Sequence, residues 1–371
     1  MAKYIDYVER FGDLSTRNMD TICQIISRNR SLNTHTLRLF LQSHLEDLTL
    51  YDCAKIDAAA FRTVATFVPG LKHLSLHHAG LMSDDVLTYY AEKLPKLESF
   101  HLRGAFLISR QTYIDFFASV GPRLKALTLS ATARTSKAVI EAIVTHCPNI
   151  EHLTLSSLAR FDDACLRMLK GCTALKSLDI SFAGGELTDA AVVEVLDAVG
   201  AGLESLSVAG NVALTSTTTD AIHACCARLR ALDLSECEQL TDGDIANLFT
   251  NWDKNGGLRE LRLARLEGLT SVGLLAAVRH SGRTLEALDV NSCGELDKDG
   301  LLAALSGCRR LRSFDVAFVR AVDDDVVEKM QACGISTLAV WGCTRVTDVC
   351  RVDEGVNLVG READIASAVV D

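Results

Sequence analysis

The stretch CCARLRALDLSECEQLTD, residues 225–242, carries three cysteines in eighteen positions. Thiols that dense can do three kinds of chemistry: hold a tetrahedral zinc ion, cycle as a redox pair, or close a disulfide. Two properties of the whole chain narrow the choice. Thirteen cysteines is an odd number and cannot form a closed disulfide set. The opening MAKYIDYVER is charged and has no apolar signal segment, so the chain is expected to be intracellular, where thiols stay reduced.

Phase narrows it further. Cys53, Cys237, Cys293 and Cys343 each sit eight residues after the Leu or Ile that opens a hexamer of the form L-x-x-L-x-L, and Cys147, Cys172, Cys226 and Cys308 each sit three residues before one. A free cysteine is a small apolar side chain with a weak S–H donor. Thiols held at two fixed phases of a repeat are therefore expected to be buried filler, the later phase bonding loop backbone where the strand ends. Cys225–Cys226 lacks the C-x-x-C spacing of a zinc knuckle. His73 and His101 fall on neighbouring strands, but no carboxylate or thiolate accompanies them; they are expected to be solvated and to titrate near pH 6.5. The glycine pairs at 184–185 and 256–257 lie outside any G-x-x-x-x-G-K pattern, and Cys147, next to His146, points inward. No metal, cofactor or catalytic residue is expected.

The elements that position these residues repeat. LEDLTL (45–50), LKHLSL (71–76), LESFHL (97–102), LKALTL (124–129), IEHLTL (150–155), LKSLDI (175–180), LESLSV (203–208), LRALDL (229–234), LRELRL (258–263), LEALDV (285–290), LRSFDV (311–316) and ISTLAV (335–340) make twelve copies, their starts 24 to 29 residues apart. That period and pattern match leucine-rich repeats. Positions four and six of each hexamer face the core and positions three and five face out, as strand alternation requires. Helical spacing follows each hexamer, as in DAAVVEVLDAVG (189–200), and SDD (83–85), TD (188–189), TD (241–242) and DD (323–324) supply N-caps. The expected fold is an α/β leucine-rich-repeat solenoid of ribonuclease-inhibitor type, a horseshoe with a parallel sheet on its concave face and helices on its convex face. Residues 1–44 read as an N-terminal helical cap, 45–348 as the twelve repeats, and 349–371 as a C-terminal cap with a short helix around 363–369 or as a tail folded back across the concave face.

The net charge of −10 argues against a chain that grips bare duplex DNA through its phosphates and for protein partners. No run of about 18 apolar residues predicts a membrane span. On the concave face the phases place His73, His101 and Arg103 early and Asp179, Asp233, Glu236, Asp289 and Asp315 later, with Arg262 interrupting the acids and Phe318 and Trp341 at the loop edge. This surface is read as protein-binding. Its acidic rows are expected to repel phosphate and attract basic partners.

The phased cysteines, C-x-x-L-x-x-L-x-L-x-x-C-x-x-L-T-D, resemble the cysteine-containing subfamily of leucine-rich repeats, common in substrate receptors of ubiquitin ligases. More specifically, FGDLSTRNMDTICQIISRNRSLNTHTLRLFL running into YDCAKID (51–57) resembles the radiation-sensitivity-seven family, the fungal leucine-rich-repeat subunits of the global-genome nucleotide-excision-repair complex. That resemblance implies a nuclear, non-catalytic repair subunit. Its partners would be a Snf-type DNA-dependent ATPase, elongin C with a cullin, and a ubiquitylation substrate. It also implies adaptor docking through the first helix, where Met19 and Cys23 match the spacing of the elongin-binding pattern; Ser27 stands where an apolar residue is usual and Ile26 is its neighbour, with Arg28 and Arg30 following. The acidic, cysteine-bearing stretch that the family usually carries ahead of this segment is not in this sequence. The alternative reading is an interaction scaffold unconnected to repair.

Overall fold

The computed structural model describes residues 11, 14–335, 337–347, 350, 353 and 356–360. Two compact units divide the chain after Gly185.

Unit 1 opens with α1 (Thr16–Arg28) and α2 (Thr34–Phe40) and continues as alternating strands and helices: β1 (Asp47–Leu50), α3 (Ala58–Phe67), β2 (His73–Leu76), α4 (Asp84–Lys93), β3 (Ser99–Arg103), α5 (Arg110–Val120), β4 (Ala126–Ser130), α6 (Lys137–His146), β5 (His152–Ser156), α7 (Asp163–Met168) and β6 (Ser177–Asp179). Unit 2 carries α8 (Asp189–Val199), β7 (Ser205–Ser207), α9 (Ser216–Cys225), β8 (Ala231–Asp233), α10 (Asp242–Phe249), β9 (Glu260–Arg262), α11 (Ser271–Ser281), β10 (Ala287–Asp289), α12 (Lys298–Gly307), β11 (Ser313–Asp315), α13 (Asp324–Ala332), β12 (Thr337–Ala339) and β13 (Asn357–Val359). In each unit the strands pair in parallel, in chain order.

The hexamers set the register. Leu48, Leu74, Phe100, Leu127, Leu153 and Leu178 align across β1–β6, and Leu206, Leu232, Leu261, Leu288 and Phe314 across β7–β11. All of these fourth-position side chains are buried, each worth roughly 1.5–3 kcal/mol of apolar burial. The strands thus confirm the α/β repeat architecture. β13 was not foreseen: it pairs with β12, Leu358 beside Leu338. The helix expected around 363–369 lies outside the described residues.

Three ladders join the repeats. In every repeat after the first, the residue seven after the hexamer start adopts the left-handed conformation, whatever its type: His78 (φ 56), Phe182 (φ 53), Glu236 (φ 58), Arg265 (φ 56) and Phe318 (φ 59) among them. In most of these repeats its N–H donates to the next loop, as in Glu236 to the Ala264 carbonyl at 2.9 Å, which offsets the cost of that backbone. At the second hexamer position of unit 1 the charges alternate in sign along the stack, and Lys72–Glu46, Lys125–Glu98 and Lys176–Glu151 pair at 2.7–2.8 Å. The third ladder uses the helix starts. Thr188, Thr241 and Asp323 cap their own helices as expected, but the acid after each reaches into the following repeat. Asp189 accepts from Thr215 N–H at 3.0 Å, and Asp324 from Thr347 N–H at 2.8 Å. Ser83 departs from the expectation: it makes no cap bond to its helix.

Candidate functional site

The N-terminal segment is built around α1. Ser15 caps it, accepting from Asn18 N–H, and the helix lies on β1 with its apolar side down. Cys23 donates its thiol hydrogen to the Thr49 carbonyl (Sγ···O 3.4 Å), and Gln42 Nε2 meets Met19 Sδ at 3.4 Å. Tyr51 donates to Asp20 at 2.9 Å, and Gln24 Nε2 bridges the two, locking α1 to the end of β1. Met19, Cys23 and Ile26 are consequently 5%, 2% and 5% exposed. These three, expected to dock the adaptor, are packed against the first repeat, because the spacing that matches the adaptor pattern is also the spacing of a helix face turned to that repeat. Solvent instead meets Arg17, Asn18, Thr21 and Ile25. Arg28 continues that exposed side at the last turn of the helix, and Arg30 follows just beyond it, also exposed. They line an open groove of about 490 Å³ together with Gln24, Ser27, Tyr51, Asp52 and His78.

On the open face of the unit 1 sheet, His73 is exposed, 3.8 Å from Asp47, and Arg103 is exposed. His101 differs from the solvated histidine expected of it. One ring nitrogen lies 2.7 Å from Ser99 Oγ and the other 2.6 Å from Thr128 Oγ1. Burial, with Arg103 nearby, pulls its pKa down to about 4, so the ring is neutral at physiological pH.

The acids of the later rows are partly structural. Asp179, Asp233, Asp289 and Asp315 each accept the backbone N–H two residues on, at 2.9–3.0 Å. These Asx turns order the loop that follows each strand. The remaining charge is unevenly matched. Arg262 stands between Asp233, at 3.9 Å, and Asp289, and also approaches Glu260 at 3.7 Å. Glu236 pairs with Arg265 at 3.5 Å on the left-handed ladder. Asp289 and Asp315 sit directly opposite one another; burial, with Asp315 and Asp233 adding, raises the Asp289 carboxyl. Phe318 and Trp341 are 56% and 43% exposed. Each needs a glycine beneath it: a Cβ on Gly342 would overlap the Phe318 ring, and one on Gly360 the Trp341 indole.

The whole-chain charge conceals a division. Residues 1–185 hold 21 Lys/Arg against 18 Asp/Glu, a net of +3; residues 186–371 hold 17 against 30, a net of −13. A count by halves of the sequence would have found it.

The thiols behave as filler. All thirteen cysteines are free. Cys237, Cys293 and Cys343 donate to the Val208, Leu263 and Val316 carbonyls, the sixth hexamer position of the preceding repeat, at 3.1–3.4 Å. Burial pushes Cys147, Cys226 and Cys237 up to about 12 and Cys172, Cys293 and Cys308 to about 11, which keeps them protonated and unreactive. Among the described residues no three His, Cys, Asp or Glu side chains converge as a metal site would require, and no helix is long and apolar enough to cross a membrane.

No family model matches the chain. The DNA repair protein rhp7 of Schizosaccharomyces pombe is 38% identical over 366 residues, 98% of this chain and 64% of that protein. The DNA repair protein RAD7 of Saccharomyces cerevisiae is 32% identical over 365 residues, 95% of this chain and 64% of that one. The chain thus spans just under two thirds of the length of these relatives. A crystal structure of the Rad7 and Elc1 complex in yeast contains a chain that matches at a TM-score of 0.84 and 29% identity, covering 95% of this chain and 90% of that one.

Proposed function

This chain is homologous over nearly its whole length to the Rad7 and Rhp7 DNA repair proteins, and on that premise we propose that it is a non-catalytic substrate receptor of a cullin–elongin-type ubiquitin ligase in global-genome nucleotide excision repair. The observation that carries this is the TM-score of 0.84 to a structure described as a Rad7 and Elc1 complex. Elongin C is the adaptor in this reading, a cullin and a Snf-type DNA-dependent ATPase are the further partners, and the place of action is the nucleus.

Two surfaces divide the work. The adaptor meets the solvent side of α1, through Thr21 and Ile25, because Met19, Cys23 and Ile26 are already packed on the first repeat. The open sheet faces grip the substrate: that of unit 1 carries His73, Arg103 and Asp179, and that of unit 2 carries Asp233, Asp289 and Asp315, with Glu236, Arg262, Phe318 and Trp341 along its edge. Exposed aromatics beside uncompensated acids suit a basic protein segment better than a phosphate backbone. Tagged chain recovered from cells and identified by mass spectrometry is expected to bring down elongin C and a Snf-type ATPase. Recovery of neither would overturn this reading.

A further inference from the structure

The groove at the end of α1 holds cations that the fold leaves unused. Arg28 and Arg30 form no ion pair among the described residues, and Lys55 Nζ, 2.7 Å from the Arg30 carbonyl, pins that turn. Asp52, the one acid among the described lining residues, is engaged by Ala54 N–H at 3.1 Å and faces His78 at 3.9 Å. Two guanidinium groups without an ion pair, opening into one groove, are a donor set that takes a carboxylate or phosphate.

The groove continues into an apolar edge. His78 Cα lies 3.3 Å from where a Cβ on Gly104 would stand, and the same construction on Gly80 comes within 3.7 Å of the Phe106 ring and 3.8 Å of the Gly104 carbonyl. The loops after β2 and β3 are thus in contact. On them Leu81, Phe106 and Leu107 are 46%, 52% and 51% exposed. Single exposed apolar residues need no explanation; three together beside an anion groove do.

We propose that this edge binds an acidic segment of a partner protein that carries bulky apolar residues next to its acids. Its carboxylate sits among Arg28, Arg30 and His78, and its apolar side chains cover Leu81, Phe106 and Leu107. The net of +3 on residues 1–185 suits such a partner, whereas the −13 of residues 186–371 does not. Single-stranded nucleic acid fits less well, because two of the three apolar groups are aliphatic and offer no platform for base stacking. The groove adjoins the solvent side of α1 assigned to the adaptor at Arg28, so the test uses Arg30, which lies beyond the helix.

The test is fluorescence anisotropy of the full chain with a labelled peptide of alternating Glu and Leu, a matched Gln and Leu peptide, and oligothymidine. The Glu peptide is expected to bind at least about tenfold tighter than the Gln peptide. Arg30→Glu, and separately Phe106→Ser with Leu107→Ser, are each expected to weaken it about tenfold or more, with melting curves and elongin C capture as in the parent chain. Equal binding of the two peptides, or indifference to either variant, would overturn the proposal. So would oligothymidine binding that depends on Arg30 but not on Phe106, which would make the groove a nucleic-acid site. Loss of elongin C capture by the parent chain would count against the adaptor reading alone.

Discussion

Asp242 accepts two hydrogen bonds from Thr270, twenty-eight residues further on: the backbone N–H at 2.8 Å and the hydroxyl at 2.9 Å. Gly273 N–H adds a third at 3.0 Å. One carboxylate at the start of α10 thereby satisfies the cap of α11 and ties two repeats together, and Asp189 and Asp324 do the same elsewhere in unit 2.

Breaking that link should loosen unit 2. Asp242→Ala leaves two part-buried backbone donors unanswered and is expected to cost about 2 kcal/mol, against about 1 kcal/mol for Thr241→Ala, which removes only a cap. Gly273→Ala should also destabilise, since its Cβ would stand 2.5 Å from the Asp242 carboxylate oxygen. Urea unfolding of the three variants checks the order; equal losses for Asp242→Ala and Thr241→Ala would deny the inter-repeat role.

His101 gives the fold a pH dependence of known sign. Its ring titrates at about 4 in the folded protein and near 6.5 in an unfolded chain. Between those values the unfolded chain takes up a proton that the folded protein refuses. This group's contribution is therefore full above pH 6.5 and falls as pH drops toward 4, by at most on the order of 3 kcal/mol. His101→Gln should flatten the change in unfolding midpoint between pH 7 and pH 5; an unaltered slope would contradict the burial argument.

Much of this was readable in the residues, and what was not has identifiable causes. The hexamers gave every strand of the repeats because one face of each is buried, and the phase of the cysteines gave their inward place. The aspartates looked like surface charge, since a side chain that accepts its own backbone two residues on leaves no periodic mark. The left-handed ladder was invisible because Phe182, Glu236 and Phe318 are unusual occupants of that backbone. The burial of Met19 and Cys23 could not be read from their spacing, because a docking pattern and a buried stripe share the i, i+4 spacing. β13 is three residues long and pairs only with β12, too short to show alternation.

Thiol accessibility should follow burial. Cys225 and Cys333 are the two cysteines not fully buried. Native labelling with a maleimide, read by peptide mass mapping, is expected to modify these two first and the phased cysteines only after unfolding. Rapid labelling of Cys237 or Cys293 would show that the repeat interior is open.

The opposed carboxylates of Asp289 and Asp315 trade stability for binding. Asp315→Asn keeps the acceptor for Ala317 N–H and removes the repulsion, so it should raise stability by a few tenths to about 1 kcal/mol. The same change should weaken capture of a lysine-rich peptide. A variant that is stabilised but binds the peptide as before would leave the acidic rows as architecture alone.

Titration of purified elongin C into the purified chain in a calorimeter, alongside Ile25→Asp, measures whether α1 docks the adaptor. Ile25 is 36% exposed on the solvent side of α1, so the variant should fold. The expected result is one-to-one binding by the parent chain and a loss of about tenfold or more in Ile25→Asp. No binding by the parent chain, or full binding by the variant, would contradict the account.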